Sequence, residues 1–100
     1  MREAEQIWHI PSDHPSFAGH FPARPIVAGV ILLDRVLLLA QTLVQASADG
    51  WQVGQVKFLS PALPGDTLRF RVQEGARQWS FRVDCAERQI ASGTLVPPRP

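Results

Sequence analysis

The chain has 100 residues, 45% apolar and 19% charged, a composition that fills one modest core and argues against disorder. A net charge of +1 lacks the basic excess of a nucleic-acid binder, and a single cysteine excludes an internal disulfide framework and a cysteine-based zinc site. No apolar run is long enough to span a membrane, and Met1-Arg2-Glu3-Ala4-Glu5 is too polar for a signal peptide, so one cytoplasmic domain over residues 1–100 is expected, steadied by an oligomer interface.

Residues 4–10 read as a first strand that stops at Pro11. Asp13 can cap a short turn that has Pro15 near its start. Residues 19–29 contain two prolines and two glycines, which predicts a constrained loop. Residues 30–46, VILLDRVLLLAQTLVQA, have neither glycine nor proline and predict one long helix. Apolar residues occupy every face of its first three turns, which predicts a helix buried all round inside a curved sheet. Ala48-Asp49-Gly50 ends it.

The remainder reads as strand. Residues 51–61 carry Val53, Val56 and Phe58, and Leu63-Pro64-Gly65-Asp66 follows as a turn. Residues 67–73 set Leu68, Phe70 and Val72 against Arg69, Arg71 and Gln73, a period of two with one polar face. Glu74-Gly75-Ala76 turns again. Residues 77–86 set Trp79, Phe81, Val83 and Cys85 against Ser80, Arg82 and Asp84, and residues 87–96 form a last strand. The expected class is α+β, one long helix against an antiparallel sheet.

Charge is uneven along this order. The first fifty residues carry three cations against five acids, and the last fifty carry seven against four. Nine of the ten cations are arginine, which pairs with carboxylates and phosphates in bidentate fashion. Arg69, Arg71 and Arg82 alternate with apolar positions and are expected to share polar sheet faces. They are candidates for docking an acidic partner.

The stretch richest in chemistry runs from His14 to Asp34. His20 sits in the stiff loop between Gly19 and Phe21-Pro22. Gly29 stands at the entrance of the helix, where backbone N–H groups lack helical partners. Asp34 lies five residues on, about 7.5 Å along the axis. A carboxylate in an apolar helix is costly to bury alone, so a partly buried acid is expected there. Imidazole, N–H donor and acid together can serve as base, oxyanion stabiliser and acid. His9 and His14 read as structural. Cys85 and the three tryptophans read as packing residues.

The segment GHFPARPIVAGVILLD, residues 19–34, resembles the signature of the 3-hydroxyacyl-[acyl carrier protein] dehydratases, including the spacing of fourteen from His20 to Asp34. VKFLSPALPGDTLRFRV, residues 56–72, resembles their later strand-turn-strand segment. The resemblance implies a hot-dog fold, a curved antiparallel sheet wrapped around one long helix, in a homodimer or a hot-dog heterodimer. It implies dehydration of a (3R)-3-hydroxyacyl thioester borne on acyl carrier protein, without metal or bound cofactor. His20 would take the C2 proton, the Gly29 N–H would bind the thioester carbonyl, and Asp34 would handle the leaving hydroxyl. Phe21, Pro22, Arg24 and Val30 would bind substrate, Arg24 near the phosphate of phosphopantetheine. The resemblance further implies that His20 of one subunit faces Asp34 of its partner across a two-fold interface.

Departures from the pattern point to a specialised branch similar to the small dehydratases of aryl-polyene-type polyketide clusters. Ala23 stands where the family usually has glycine, and Ala28 where it has proline. Asp34 matches the isomerising branch, but Val30 stands where that branch has cysteine. Leu38 replaces a glutamine four residues after the acid. Two other readings fit the same fold. A hot-dog thioesterase would hydrolyse the thioester, and a non-catalytic subunit would act only beside a second hot-dog chain.

Overall fold

The computed structural model describes residues 1–11, 29–44 and 50–98. Within them lie strand β1 (Glu3–His9), helix α1 (Gly29–Val44), and strands β2 (Gln52–Phe58), β3 (Thr67–Gln73), β4 (Trp79–Cys85) and β5 (Arg88–Val96). The strands form one sheet in the order β1-β3-β4-β5-β2, and every neighbouring pair is antiparallel. The loop expected before α1, with Asp13 and His14, and the end expected for the helix after Val44 lie outside the described residues.

Period-two alternation produces the sheet as expected. Leu68, Phe70 and Val72 of β3 and Trp79, Phe81 and Val83 of β4 are buried on one face. Arg69, Arg71 and Arg82 are exposed on the other. The turn before β3 is built by Gly65, whose φ of 84° suits glycine, with the Asp66 N–H donating to the Leu63 carbonyl at 3.1 Å. Asp66 Oδ2 in return accepts the Leu63 N–H at 2.9 Å. The β3–β4 bend falls at Ala76-Arg77, later than its expected position, because the Glu74 N–H still donates to the Arg2 carbonyl at 2.8 Å. Strand β2 is irregular: its register on β5 shifts between Val53 and Val56, and the Gln55 N–H bonds the Thr94 hydroxyl.

Helix α1 differs from expectation in two respects. It begins at Gly29, so this glycine is helical, one residue earlier than expected. It is also not buried all round. Leu32, Val36, Leu39 and Ala40 face the core at spacings of a single stripe. Val30 and Leu38 remain 61% exposed, and Asp34 between them is exposed too. The reason is geometric: one sheet covers one side of a helix, and an apolar residue on the far side waits for a second surface. No helix among the described residues is long and apolar enough to cross a membrane.

Two contacts pin β1 to the helix. The Arg35 guanidinium carbon lies 3.6 Å from the Trp8 ring centroid, a cation–π contact whose burial holds that guanidinium below its ordinary pKa. Arg2 donates to the Leu43 carbonyl at 2.7 Å and to Glu74 Oε2 at 2.7 Å. That side-chain hydrogen bond holds the Glu74 carboxyl below its usual range. His9 Nδ1 meets the Thr67 hydroxyl at 2.9 Å across the β1–β3 pair, in keeping with a structural histidine. Trp51 and Trp79 pack edge to face, with centroids 5.3 Å apart.

The buried stripe sets a measurable expectation. Phe70→Ala removes a fully buried ring at the centre of β3 and should cost about 3–5 kcal/mol in denaturant unfolding. The Arg2–Glu74 pair has the opposite character, small and acid-sensitive. Because the folded-state pKa of Glu74 is lowered, its contribution is full above the unfolded-state value and fades as pH falls through the folded-state one. Glu74→Gln should therefore lower Tm slightly at neutral pH, with the gap from wild type closing in acid. A gap that persists in acid would mean the carboxylate is not its source.

Candidate active site

The first N–H groups of α1 have no partner within the helix and sit at its positive end. Gly29 is the first residue there, and Phe58 from the end of β2 lies against it. A Cβ placed on Gly29 would fall 2.7 Å from the Phe58 ring tip, so glycine is what lets β2 approach the helix start this closely. Beside this contact is a recess of about 320 Å³, lined by Gly29, Leu32, Phe58, Leu59, Pro61 and Ala62 with Ser60. It lies at the small end of the range for ligand sites and is apolar apart from the serine.

The rim of this recess is held from below. The Leu59 and Ser60 N–H groups both donate to the Ile90 carbonyl, at 2.9 and 3.3 Å. Arg88 donates to the Ser60 hydroxyl at 3.3 Å, to the Pro61 carbonyl at 3.2 Å and to Asp66 Oδ2 at 2.8 Å. Hydrogen bonds to the Cys85 side chain and to Asp66 hold the Arg88 guanidinium above its ordinary pKa. The charged fork thus ties the turn before β3 to the β4–β5 corner, where Ala86 adopts a left-handed φ of 54°.

Three of the expected site residues fall within the described structure. Gly29 opens the helix as stated. Val30 and Asp34 lie one turn apart on the exposed stripe, with Leu38 one turn further. The expectation of a partly buried Asp34 is therefore corrected: its carboxylate faces away from the sheet, because Leu32 and Val36 on either side of it take the core positions. His20, Phe21, Pro22 and Arg24 lie outside the described residues.

Sequence reading missed two contributors. Phe58 follows Val56 at the alternation of an inward face, a signal for burial but not for contact with Gly29. The Arg88–Asp66 clip joins residues 22 apart in the chain, and no local pattern marks it.

The dehydratase heterocomplex ApeI:P from Xenorhabdus doucetiae superposes with a TM-score of 0.81 at 31% identity, over 97% of this chain and 88% of that one. A hot-dog-like protein from Thermanaerovibrio acidaminovorans superposes with a TM-score of 0.66 at 19% identity, over 94% of this chain and 77% of that one. The fold is the hot-dog fold, as the resemblance implied. The 3-hydroxyacyl-[acyl-carrier-protein] dehydratase FabZ of Rickettsia massiliae is 34% identical over 86 residues, covering 75% of this chain and 59% of the relative. The chain spans about three fifths of the length of the curated relatives it matches. The ApeI-like family, described as ApeI dehydratase, matches through its model over residues 1–94, and the chain belongs to that family.

Proposed function

We propose that this chain removes water from a (3R)-3-hydroxyacyl thioester on acyl carrier protein and releases the trans-2-enoyl thioester. One observation carries the reading. A member of the ApeI-like family opens its helix with a glycine beside an apolar recess, and keeps His20 and Asp34 fourteen residues apart.

The chemistry assigns a task to each group. The C2 hydrogen is far less acidic than imidazolium, so its removal needs the enolate-like charge to be stabilised. The N–H of Gly29, at the positive helix end and without a partner inside the helix, donates to the thioester oxygen where that charge develops. His20 takes the C2 proton. The electron pair left behind forms the C2–C3 double bond as the C3–O bond breaks. The hydroxyl leaves as water on taking a proton from the Asp34 carboxyl, and the proton held on His20 then restores that carboxyl. The recess under Phe58 receives the first carbons of the acyl group, and Phe21, Pro22, Arg24 and Val30 complete the substrate surface.

The exposed stripe of α1 calls for a second hot-dog subunit, so that His20 of one subunit meets Asp34 of the other. A heterodimer is the second reading. It is favoured by the heterocomplex form of ApeI:P and by Leu38 in the place of the family's glutamine.

Incubation with 3-hydroxyacyl carrier-protein thioesters should give products lighter by one water. Hydrolysed thioester instead would establish a thioesterase, and unchanged substrate in the presence of a second hot-dog chain would refute dehydration. His20→Ala should keep the fold and lose turnover. Gly29→Ala should also fold, since the 55% exposed Phe58 ring can swing aside. Crowding at the first N–H groups should nevertheless lower its turnover at least about tenfold. Mixed refolding of His20→Ala with Asp34→Ala subunits makes half the dimers mixed, each with one intact site. Activity should return to roughly a quarter of wild type for a homodimer with independent sites. No recovery despite confirmed exchange would place both residues in one chain's site.

A further inference from the structure

We infer that Arg88 is a positioning residue whose fork sets the width of the recess and thereby which acyl groups it accepts. The inference rests on the proposed dehydration for the reaction, and the role of the side chain is read from the end of β2. Pairing of β2 with β5 stops at Phe58, opposite Ala91. The next two N–H groups, those of Leu59 and Ser60, fall on a single acceptor, the Ile90 carbonyl. Pro61 has no N–H to donate. Residues 59–62, which form one wall of the recess, therefore leave the sheet without further ladder pairing.

Arg88 takes over where the ladder ends. Its Nη1 donates to the Ser60 hydroxyl at 3.3 Å and to the Pro61 carbonyl at 3.2 Å, and its Nη2 donates to Asp66 Oδ2 at 2.8 Å. Asp66 Oδ2 also accepts the Leu63 N–H at 2.9 Å, so one guanidinium ties down both ends of the stretch from Ser60 to Leu63. The backbone of Arg88 is itself fixed, paired with Cys85 at the β4–β5 corner. Across the recess stand Gly29 and the buried Leu32 of α1. Core packing holds the helix side, so the wall that Arg88 holds is the side that sets the width.

Magnitudes separate this role from a purely structural one. The Arg88 and Asp66 side chains are 39% and 19% exposed, and an ion pair so open to solvent contributes little to stability. An apolar pocket, by contrast, discriminates about tenfold or more for each methylene that does or does not fit. Misplacing a reacting group by about 1 Å can cost about a hundredfold in turnover. Loss of the fork is therefore felt in selection and turnover before it is felt in folding. With the wall in place the recess holds about 320 Å³, the small end of the range for ligands, and fits a short acyl group. Lysine offers a point charge in place of a planar fork and cannot hold the three acceptors together.

The test uses the intact protein with (3R)-3-hydroxybutanoyl and (3R)-3-hydroxyoctanoyl thioesters on acyl carrier protein. Calorimetry with the saturated butanoyl and octanoyl thioesters of N-acetylcysteamine measures binding apart from reaction. Wild type should favour the shorter substrate at least about tenfold in kcat/KM. Arg88→Ala should lower kcat for that substrate at least about tenfold, more than it raises KM, with Tm nearly unchanged. It should also shrink the preference for the shorter group at least about threefold, in turnover and in binding alike. Arg88→Lys should fall between the two. Arg77→Gln, on the β3–β4 bend, is the control and should stay within about twofold. Should Arg88→Ala fail to fold, Arg88→Lys and Asp66→Asn should each shrink the preference about twofold. A preference that is absent in wild type, or unchanged in these variants, overturns the proposal. So does a loss of turnover that only tracks the loss of folded protein. A shifted binding preference without loss of water from either substrate would overturn the dehydration reading and leave the assignment to Arg88 standing.

Discussion

Leu32, Val36, Leu39 and Ala40 pack on the inner face of the sheet, and this contact sets the rotation of α1. Each large side chain in the stripe is worth about 1.5–3 kcal/mol when fully buried. Rotating the helix to bury Asp34 would forfeit several such terms and leave a carboxylate without a partner in the core. At about 100° per residue, Asp34 falls almost opposite the midpoint of Leu32 and Val36. The same hydrophobic contact that folds the chain thus turns the acid outward, flanked by Val30 and Leu38.

Much of the architecture was legible because sheets repeat every second residue. TLRFRVQ could bury only one of its faces, and it forms β3 over those seven residues. The helix was equally plain in its residue types but not in its surroundings. VILLDRVLLLA is apolar on all sides, and no periodicity states whether the second side meets this chain or another. Treating it as wrapped by its own sheet therefore misplaced Asp34. Gly29 was read as a loop residue because glycine commonly precedes helices. What gives it a closer role is the ring of Phe58, 29 residues away, which rests where a Cβ would be, a contact that depends on where β2 ends. The Arg88–Asp66 clip was hidden for the same reason, since it forms only after β4 and β5 have turned.

Strand β2 brings the sheet to the candidate site. Its residue Phe58 closes on the helix start, while the neighbouring Lys57 lines the groove on the other face of the sheet. Its register on β5 shifts between Val53 and Val56, and pairing resumes with Val56, Lys57 and Phe58 opposite Gly93, Ser92 and Ala91, so the ladder carries through to the strand's end. Beyond it the Ile90 carbonyl and the Arg88 fork of β5 fix Leu59, Ser60 and Pro61. The recess is consequently built on a strand end braced by a charged clip, which places it more firmly than a free loop would.

The apolar residues beside the acid tie assembly to chemistry. Val30 and Leu38 flank Asp34 at one turn before and one turn after, and each is 61% exposed in the single chain. Scattered exposed apolar residues need no explanation, but here they alternate with a carboxylate on one stripe, and Phe58 and Leu59 are exposed near its start. A polar residue four positions after the acid would be content in water. With leucine there, covering the stripe is favourable by the removal of its apolar area from water, about 25 cal/mol for each Å². The proposed second subunit would also lower the local dielectric around Asp34 and strengthen every charge interaction there. In the proposed assembly a partner that buries Val30 and Leu38 would prepare the acid by the same contact. Leu38 would serve that coupling where a polar residue would favour water.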